Sequence, residues 1–381
     1  MRIAIDARFL GPTGTGLGKY TEKLLEELEK LDNKNLYFVL LKKENFNLFN
    51  PKAKNFTKVL ADVNWYSISE QIEIPKILSK IKPDLVHFYH FNVPIFYSGR
   101  FVVTIHDLIK HEFAGSAATT KNFFIYFLKH QSYKLVISAA VKKSVKVIVP
   151  SNWVKNRIID EFKVPEDKIV VTYEAADPHF AKAPRGKEEL VDRKRVLDKY
   201  KIQPPFLIYV GNLYPYKNLE IVLKALKILE NEFPNLKLMI GSARDVFYQR
   251  FSELVKKYNL DEKVILPGFI PTNDLVPLFK AASAYIFASL SEGFGIPGLD
   301  AMLAGLPVIA SDIPVFHEVY GDAALYFDPK DYVDLAEKIK LIIADNKLRQ
   351  DFIVKGKQQA AKYSWQKMAK ETLNVYETLK N

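Results

Sequence analysis

Two acids, Glu292 and Asp300, stand eight positions apart in SEGFGIPGLDAMLAG, residues 291–305, with Gly293, Gly295, Pro297 and Gly298 between them. Glycine lets backbone amides approach a bound molecule and proline suits a first helical turn, so Glu292 falls in a loop and Asp300 in the helix after it. Acids placed that way do not share one helical face; they suit two parts of one elongated polar ligand. The competing reading is a chance loop glutamate with an aspartate favoured near a helix start. Lys217, in YVGNLYPYKNLE, stands where a turn runs into a helix, and an ammonium there can neutralise a diphosphate as charge grows on it. His106, in VVTIHDL, closes an apolar run, where its ring can exchange hydrogen bonds with a sugar hydroxyl or a reacting oxygen. The bland alternatives are an exposed lysine and a structural histidine.

GPTGTGLGKY, residues 11–20, is a glycine loop entering a helix, a place that favours anions. The Walker pattern fails at Thr13 and Tyr20, and the dinucleotide pattern fails where Lys19 or Thr21 takes the third glycine position. What is left is close backbone approach at Gly14, Gly16 and Gly18, or a plain structural turn. HFYHFN, His87 to Asn92, offers polar tips on aromatic bodies, which suits carbohydrate; no acids sit there at metal-ligand spacing.

The elements that must position these residues follow from the rest of the chain. A length of 381 residues exceeds what one core fills, and 48% apolar residues are enough for two. Apolar runs alternate with helical segments, the pattern of parallel sheets wrapped by helices. RIAIDA, LYFVLL, DLVHF, FVVTIHD and SVKVIVPS are strands of the first half; PFLIYVG, LKLMIG, VILPGF, SAYIFAS, LPVIAS and ALYFD are strands of the second. Both halves are therefore expected to be doubly wound sheets, separated by the polar stretch from Asp177 to Gln203. Ligands of such sheets lie beyond the carboxyl ends of the strands, which is where Gly16, His106, Gly211, Gly241 and Glu292 fall.

Residues 1–175 hold 26 Lys+Arg against 18 Asp+Glu, so about +8 of the net charge of +11 lies in the first half. Between Lys121 and Pro150 six lysines interleave with Phe123, Phe124, Tyr126, Phe127 and Tyr133 without an acid, which suits contact with an anionic membrane surface or an ordinary solvated helix face. No nucleic-acid motif accompanies the charge, so nucleic acid is not an expected partner. Lack of cysteine, of a signal-like start and of a spanning apolar run leads to the expectation of a cytoplasmic chain, with peripheral contact at the inner face of the membrane.

Together these stretches resemble the retaining glycosyltransferases of family 4, in particular mannosyltransferase-like members of group 1. The family's mark is a Glu, seven residues, Glu pattern within EGFGxPxxEAMxxGxPVIAS, and Glu292 to Ser311 read EGFGIPGLDAMLAGLPVIAS. IDARFLGPTGTGLGKYTEKLL, PDLVHF, VVTIHDL, VIVPSNWVKN, YVGNLYPYKNLE, VILPGFI and GDAALYFDP agree in the same order. The resemblance implies an α/β chain of the GT-B type, two Rossmann-like doubly wound domains facing across a cleft. It assigns 1–176 to the acceptor side, 177–203 to a linker region, 204–363 to the nucleotide-sugar donor domain, and 364–381 to a helix that packs back on the first domain.

Residue by residue, it places His106 and Glu292 beside the transferred sugar, Lys217 and Gly16 at the diphosphate, and Asp300 at the ribose. Gly293, Phe294, Gly295 and Ile296 line sugar and phosphate, Gly211 and Asn212 follow a strand at the donor, and Phe269 and Ile270 touch the base. Tyr20, His90 and Asn92 fall on the acceptor side. Two positions depart from the pattern. Asp300 replaces the second glutamate, and Asn212 replaces a frequent arginine, for which Arg244 is a candidate substitute.

The implied reaction moves a hexose, mannose first, from a nucleotide-diphosphate sugar to a glycan or lipid-linked acceptor in surface polysaccharide synthesis, with retention at the anomeric carbon. GDP-mannose ranks ahead of UDP-sugars. Protein groups then stabilise charge rather than attack, unlike the carboxylate couple of a glycosidase. No cofactor is expected and, since no Asp-x-Asp occurs, no metal either. A nucleotide-sugar epimerase or phosphorylase of the same fold, or a carbohydrate- or membrane-binding scaffold without activity, are the other readings.

Overall fold

The computed structural model describes residues 1–11, 15–113, 123–181, 187–243 and 246–380. The chain divides into two compact units, Met1–Glu174 with Ser364–Asn381, and Ala175–Tyr363.

The first unit is built on seven parallel strands: β1 (Arg2–Asp6), β2 (Leu36–Leu41), β3 (Phe56–Leu60), β4 (Leu85–Phe88), β5 (Phe101–Thr104), β6 (Lys146–Val149) and β7 (Ile169–Val171). They lie in the order β3-β2-β1-β4-β5-β6-β7. A strand covered by helices on both faces needs aliphatic side chains on both, and β4 and β5 are buried at every residue. The two strands that the sequence pattern does not reveal, β3 and β7, are the edges of the sheet. Each is only partly buried; β3, FTKVL, is broken by Thr57 and Lys58, and β7, IVV, is only three residues long.

The second unit has six parallel strands: β8 (Phe206–Val210), β9 (Lys237–Gly241), β10 (Val264–Gly268), β11 (Ala284–Phe287), β12 (Val308–Ser311) and β13 (Ala324–Phe327), in the order β10-β9-β8-β11-β12-β13. In each sheet the order reverses beside the first strand, at β1/β4 and at β8/β11. Loops leaving those neighbouring strands run in opposite directions and open a crevice at the carboxyl ends, the general ligand position of doubly wound sheets.

The polar stretch after Asp177 contains the helix Lys187–Tyr200, held within the second unit. Lys199 Nζ and Tyr200 Oη donate to Asp274 Oδ2 at 2.5 and 2.8 Å, and Lys280 Nζ donates to Glu189 Oε1 at 2.8 Å. The last helix, Trp365–Thr378, is capped by Ser364 and belongs to the first unit. Its buried Tyr376 hydroxyl is hydrogen-bonded to His87 Nδ1 at 2.5 Å, and Arg100 Nη2 donates to Leu379 O at 3.0 Å. Among the described residues no helix is long and apolar enough to cross a membrane.

Candidate functional site

In the second unit, Lys217 ends the short turn Pro215–Lys217 that follows β8, and Glu292 lies in the loop that follows β11. The two loops are fastened by Leu290 N donating to Tyr216 O at 2.8 Å. Their side chains meet: Lys217 Nζ donates to Glu292 Oε1 at 2.5 Å, and Ser289 Oγ donates to the same oxygen at 2.7 Å. Only 12% of the Lys217 side chain and 11% of that of Glu292 are exposed. The cation and acid that the sequence puts 75 residues apart are thus one ion pair at the switch point of the second sheet.

Around this pair the glycines divide by cause. Gly295, at φ +104°, opens the helix Ile296–Ala304. A Cβ on Gly295 or on Gly298 would stand 2.3 Å from Tyr320 Oη, which donates to Gly295 O at 2.5 Å. Both positions thus have a packing reason to be glycine, the seating of a buried tyrosine, beside the expected approach of a ligand to the backbone. Phe294 is likewise buried, packed edge-on to Tyr363 at 5.4 Å. Gly293 is buried and Ile296 half-buried. Gly241 leaves room for Ile270, whose Cδ1 lies 2.7 Å from where a Cβ would be, so the Ile270 side chain is core while Phe269 is 71% exposed. Gly211 N donates to Gly241 O at 2.9 Å, and Tyr209 Oη donates to Asn212 O at 2.7 Å. Asn212 Oδ1 is buried without a hydrogen-bond partner. Asp300 Oδ1 accepts from Asp177 N at 2.7 Å. Arg244 and Gly14 lie outside the described residues.

In the first unit, His106 follows β5 and is held from both sides. Its Nε2 faces Tyr89 O at 3.0 Å, and its Nδ1 faces Glu174 Oε1 at 3.0 Å. A carbonyl only accepts, so the ring donates to Tyr89 O from its Nε2 side. Tyr20 packs edge-on to the His106 ring at 4.6 Å. It is 1% exposed with its hydroxyl 3.1 Å from Thr104 Oγ1, so it supports His106 and presents no surface to an acceptor. Thr104 Oγ1 lies 2.8 Å from His87 Nε2. Burial, with the neighbouring His106, pushes His87 down to about 3.

His90 and Asn92 follow β4 and join a buried network. Asn92 N donates to His90 Nδ1 at 3.2 Å, and Asn92 Nδ2 donates to Glu70 Oε2 at 2.5 Å. Glu70 Oε1 accepts from Arg8 Nη2 at 2.6 Å, and Arg8 also grips both oxygens of Asp6 at 2.8 and 2.7 Å. Burial first, then the charge of Lys110, holds His90 well below the usual histidine range. Burial also lifts Glu70, against the pull of Arg8. Gly16 is exposed, and among the described residues no atom lies within 4 Å of an added Cβ, so packing against them does not require glycine there. Gly18, by contrast, would drive a Cβ to 2.1 Å from Gly11 O.

Arg8, Glu70 and Glu174 escaped the sequence reading. Arg8 is a charged residue directly after a buried strand, a signal that was available in IDARFL. Glu174 follows the edge strand β7, and that strand's short run hid it.

Residues 14–180 match the family described as Glycosyltransferase Family 4, and residues 192–359 match Glycosyl transferases group 1. The two matches follow one another over nearly the whole chain. The chain belongs to the family 4, group 1 glycosyltransferases. It is 31% identical over 239 residues to the O-antigen chain mannosyltransferase B of Escherichia coli, spanning 61% of this chain and 60% of that protein. It is 25% identical over 352 residues to the O-antigen chain mannosyltransferase RfbU of Salmonella typhimurium, spanning 89% of this chain and 90% of that one. The solved structure of Anabaena HepE in complex with UDP-glucose matches with a TM-score of 0.76 at 16% identity, over 99% of this chain and 100% of that one. That likeness shows the fold, GT-B with two Rossmann-like parallel sheets.

For a glycosyltransferase of this family, the departures at 300 and 212 now have surroundings. The shorter Asp300 reaches a backbone amide of its own unit, and Asn212 brings an unpartnered amide oxygen where the family often has arginine.

Proposed function

We propose that this glycosyltransferase moves a hexosyl group, mannose first, from a nucleoside diphosphate sugar to a glycan or lipid-linked acceptor, retaining the anomeric configuration and using no metal ion. The observation that carries this reading is the meeting of Lys217 and Glu292 beyond β8 and β11. Lys217 supplies positive charge for the diphosphate as it departs, and Glu292 supplies an acceptor for sugar hydroxyls. The buried, unpartnered Asn212 Oδ1 is an acceptor that suits a sugar hydroxyl. Gly16 is exposed in the first turn of the helix Thr15–Leu31, where backbone amides lack intrahelical acceptors, which suits a phosphate. His106, oriented by Tyr89 and Glu174, is the first unit's group for the sugar. With a lysine in the place of a metal bridge, the leaving phosphate itself accepts the acceptor's proton on the face it departs from, which gives retention.

Mannose, and with it GDP-mannose, is favoured by the relatives from Escherichia coli and Salmonella typhimurium, both named mannosyltransferases. A UDP-sugar ranks second, because HepE was solved with UDP-glucose. Contact with an anionic membrane surface through the basic first unit is supported by its exposed Ile68, Phe96 and Leu135.

Thermal unfolding with GDP, UDP, ADP and their sugars tests the donor. One nucleoside diphosphate sugar should raise Tm in wild type and fail to do so in K217A. Transfer should persist in EDTA and give a product of unchanged anomeric configuration by NMR. A panel without any shift removes the donor assignment, and activity lost to EDTA and restored by manganese removes the metal-free mechanism.

A further inference from the structure

Lys217 and Glu292 neutralise one another while nearly out of solvent. Ser289 Oγ adds a donor to the same carboxylate oxygen, and Tyr216 and Phe287 place rings 4.9 and 5.8 Å from the ammonium. An ammonium that holds a carboxylate at 2.5 Å gives a diphosphate only part of its charge. To take all of it, the phosphate must displace Glu292 and leave a poorly solvated carboxylate beside a second anion, which is costly. A sugar hydroxyl changes that balance. By donating to Glu292 it replaces the hydrogen bond that the ammonium withdraws.

We propose that Glu292 competes with the diphosphate for Lys217 and so weakens the hold on the free nucleoside diphosphate relative to the intact nucleoside diphosphate sugar. The inference rests on the donor reading given above. The intact donor brings hydroxyls that satisfy Glu292 and release Lys217 to the phosphates. Once the sugar has moved to the acceptor, the diphosphate offers Glu292 nothing, the carboxylate recaptures Lys217, and the product leaves. One residue thus serves the sugar before transfer and expels the leaving group after it.

Calorimetric binding of GDP, UDP, inorganic pyrophosphate, GDP-mannose and UDP-glucose to wild type, E292Q and K217M decides the matter. In E292Q the free diphosphate that wild type recognises should bind about tenfold more tightly, and the intact donor should gain less, so the preference for donor over product falls. K217M should weaken both ligands. If K217M weakens binding but E292Q leaves diphosphate affinity unchanged or lower, the competition is overturned and the donor reading stands. If K217M leaves every ligand unaffected, the donor reading fails and this proposal falls with it. Should E292Q not fold, wild type alone decides. The donor should bind at least as tightly as its own free diphosphate, and a diphosphate more than about tenfold tighter than its sugar overturns the proposal.

Discussion

Asp300 Oδ1 accepts a 2.7 Å hydrogen bond from the backbone N–H of Asp177. The buried carboxylate thereby fastens the helix Ile296–Ala304 to the start of its own unit. D300A leaves that amide without its acceptor and should cost about 1–3 kcal/mol, read as a lower midpoint in urea. D300N keeps an acceptor oxygen and should unfold near wild type. If Asp300 also holds the donor's ribose, D300N raises the donor KM; an unchanged KM makes the residue purely structural.

Two glycines should respond in opposite ways. G298A drives a methyl into Tyr320 and should destabilise the fold by about 1–3 kcal/mol through overpacking. G16A meets open space inside the helix Thr15–Leu31, so Tm should hold or rise. If the Gly16 backbone approaches the diphosphate, G16A nevertheless lowers kcat/KM. Equal activity would leave Gly16 a structural part of the helix start alone.

Glu174 should act on turnover through His106. E174A frees the ring from its Nδ1 side and is expected to lower kcat by about 10- to 100-fold with little change in donor KM. E174Q can still hydrogen-bond Nδ1 and should recover a good part of the rate. Equal losses in both variants would mean that the charge, and not the orientation, is what matters.

Stability should fall on mild acidification. The folded state holds His87 neutral down to about 3, whereas the unfolded chain protonates it near the ordinary histidine value of 6.5. Unfolded chains therefore bind more protons between these values, and stability present above 6.5 is lost as the pH falls toward 3. From pH 7 to pH 5 the loss from His87 is about 1–2 kcal/mol, with buried His90 acting in the same direction. Urea titrations at both pH values check this, and H87Q should flatten the dependence.

Legibility from sequence followed burial. Eleven strands were readable from their apolar runs, whereas β3 is broken by Thr57 and Lys58 and β7 is only three residues long. Lys217, Glu292 and His106 were found because each follows a readable strand. What spacing does not carry is which partner uses up a polar group. The Lys217–Glu292 pair, the hold of Glu174 on His106 and the grip of Arg8 on Glu70 join residues 75, 68 and 62 positions apart. Glycine was ambiguous for a similar reason: the same residue type makes room for Tyr320 at 295 and 298, and for nothing internal at 16.

The central claim is that Lys217 stabilises the departing diphosphate during hexosyl transfer. Its most direct test is the single-turnover transfer rate of K217A at saturating donor, beside wild type, with Tm measured on both. The account predicts a fall of at least about 100-fold with the fold intact. A rate within about threefold of wild type in a folded K217A would contradict it.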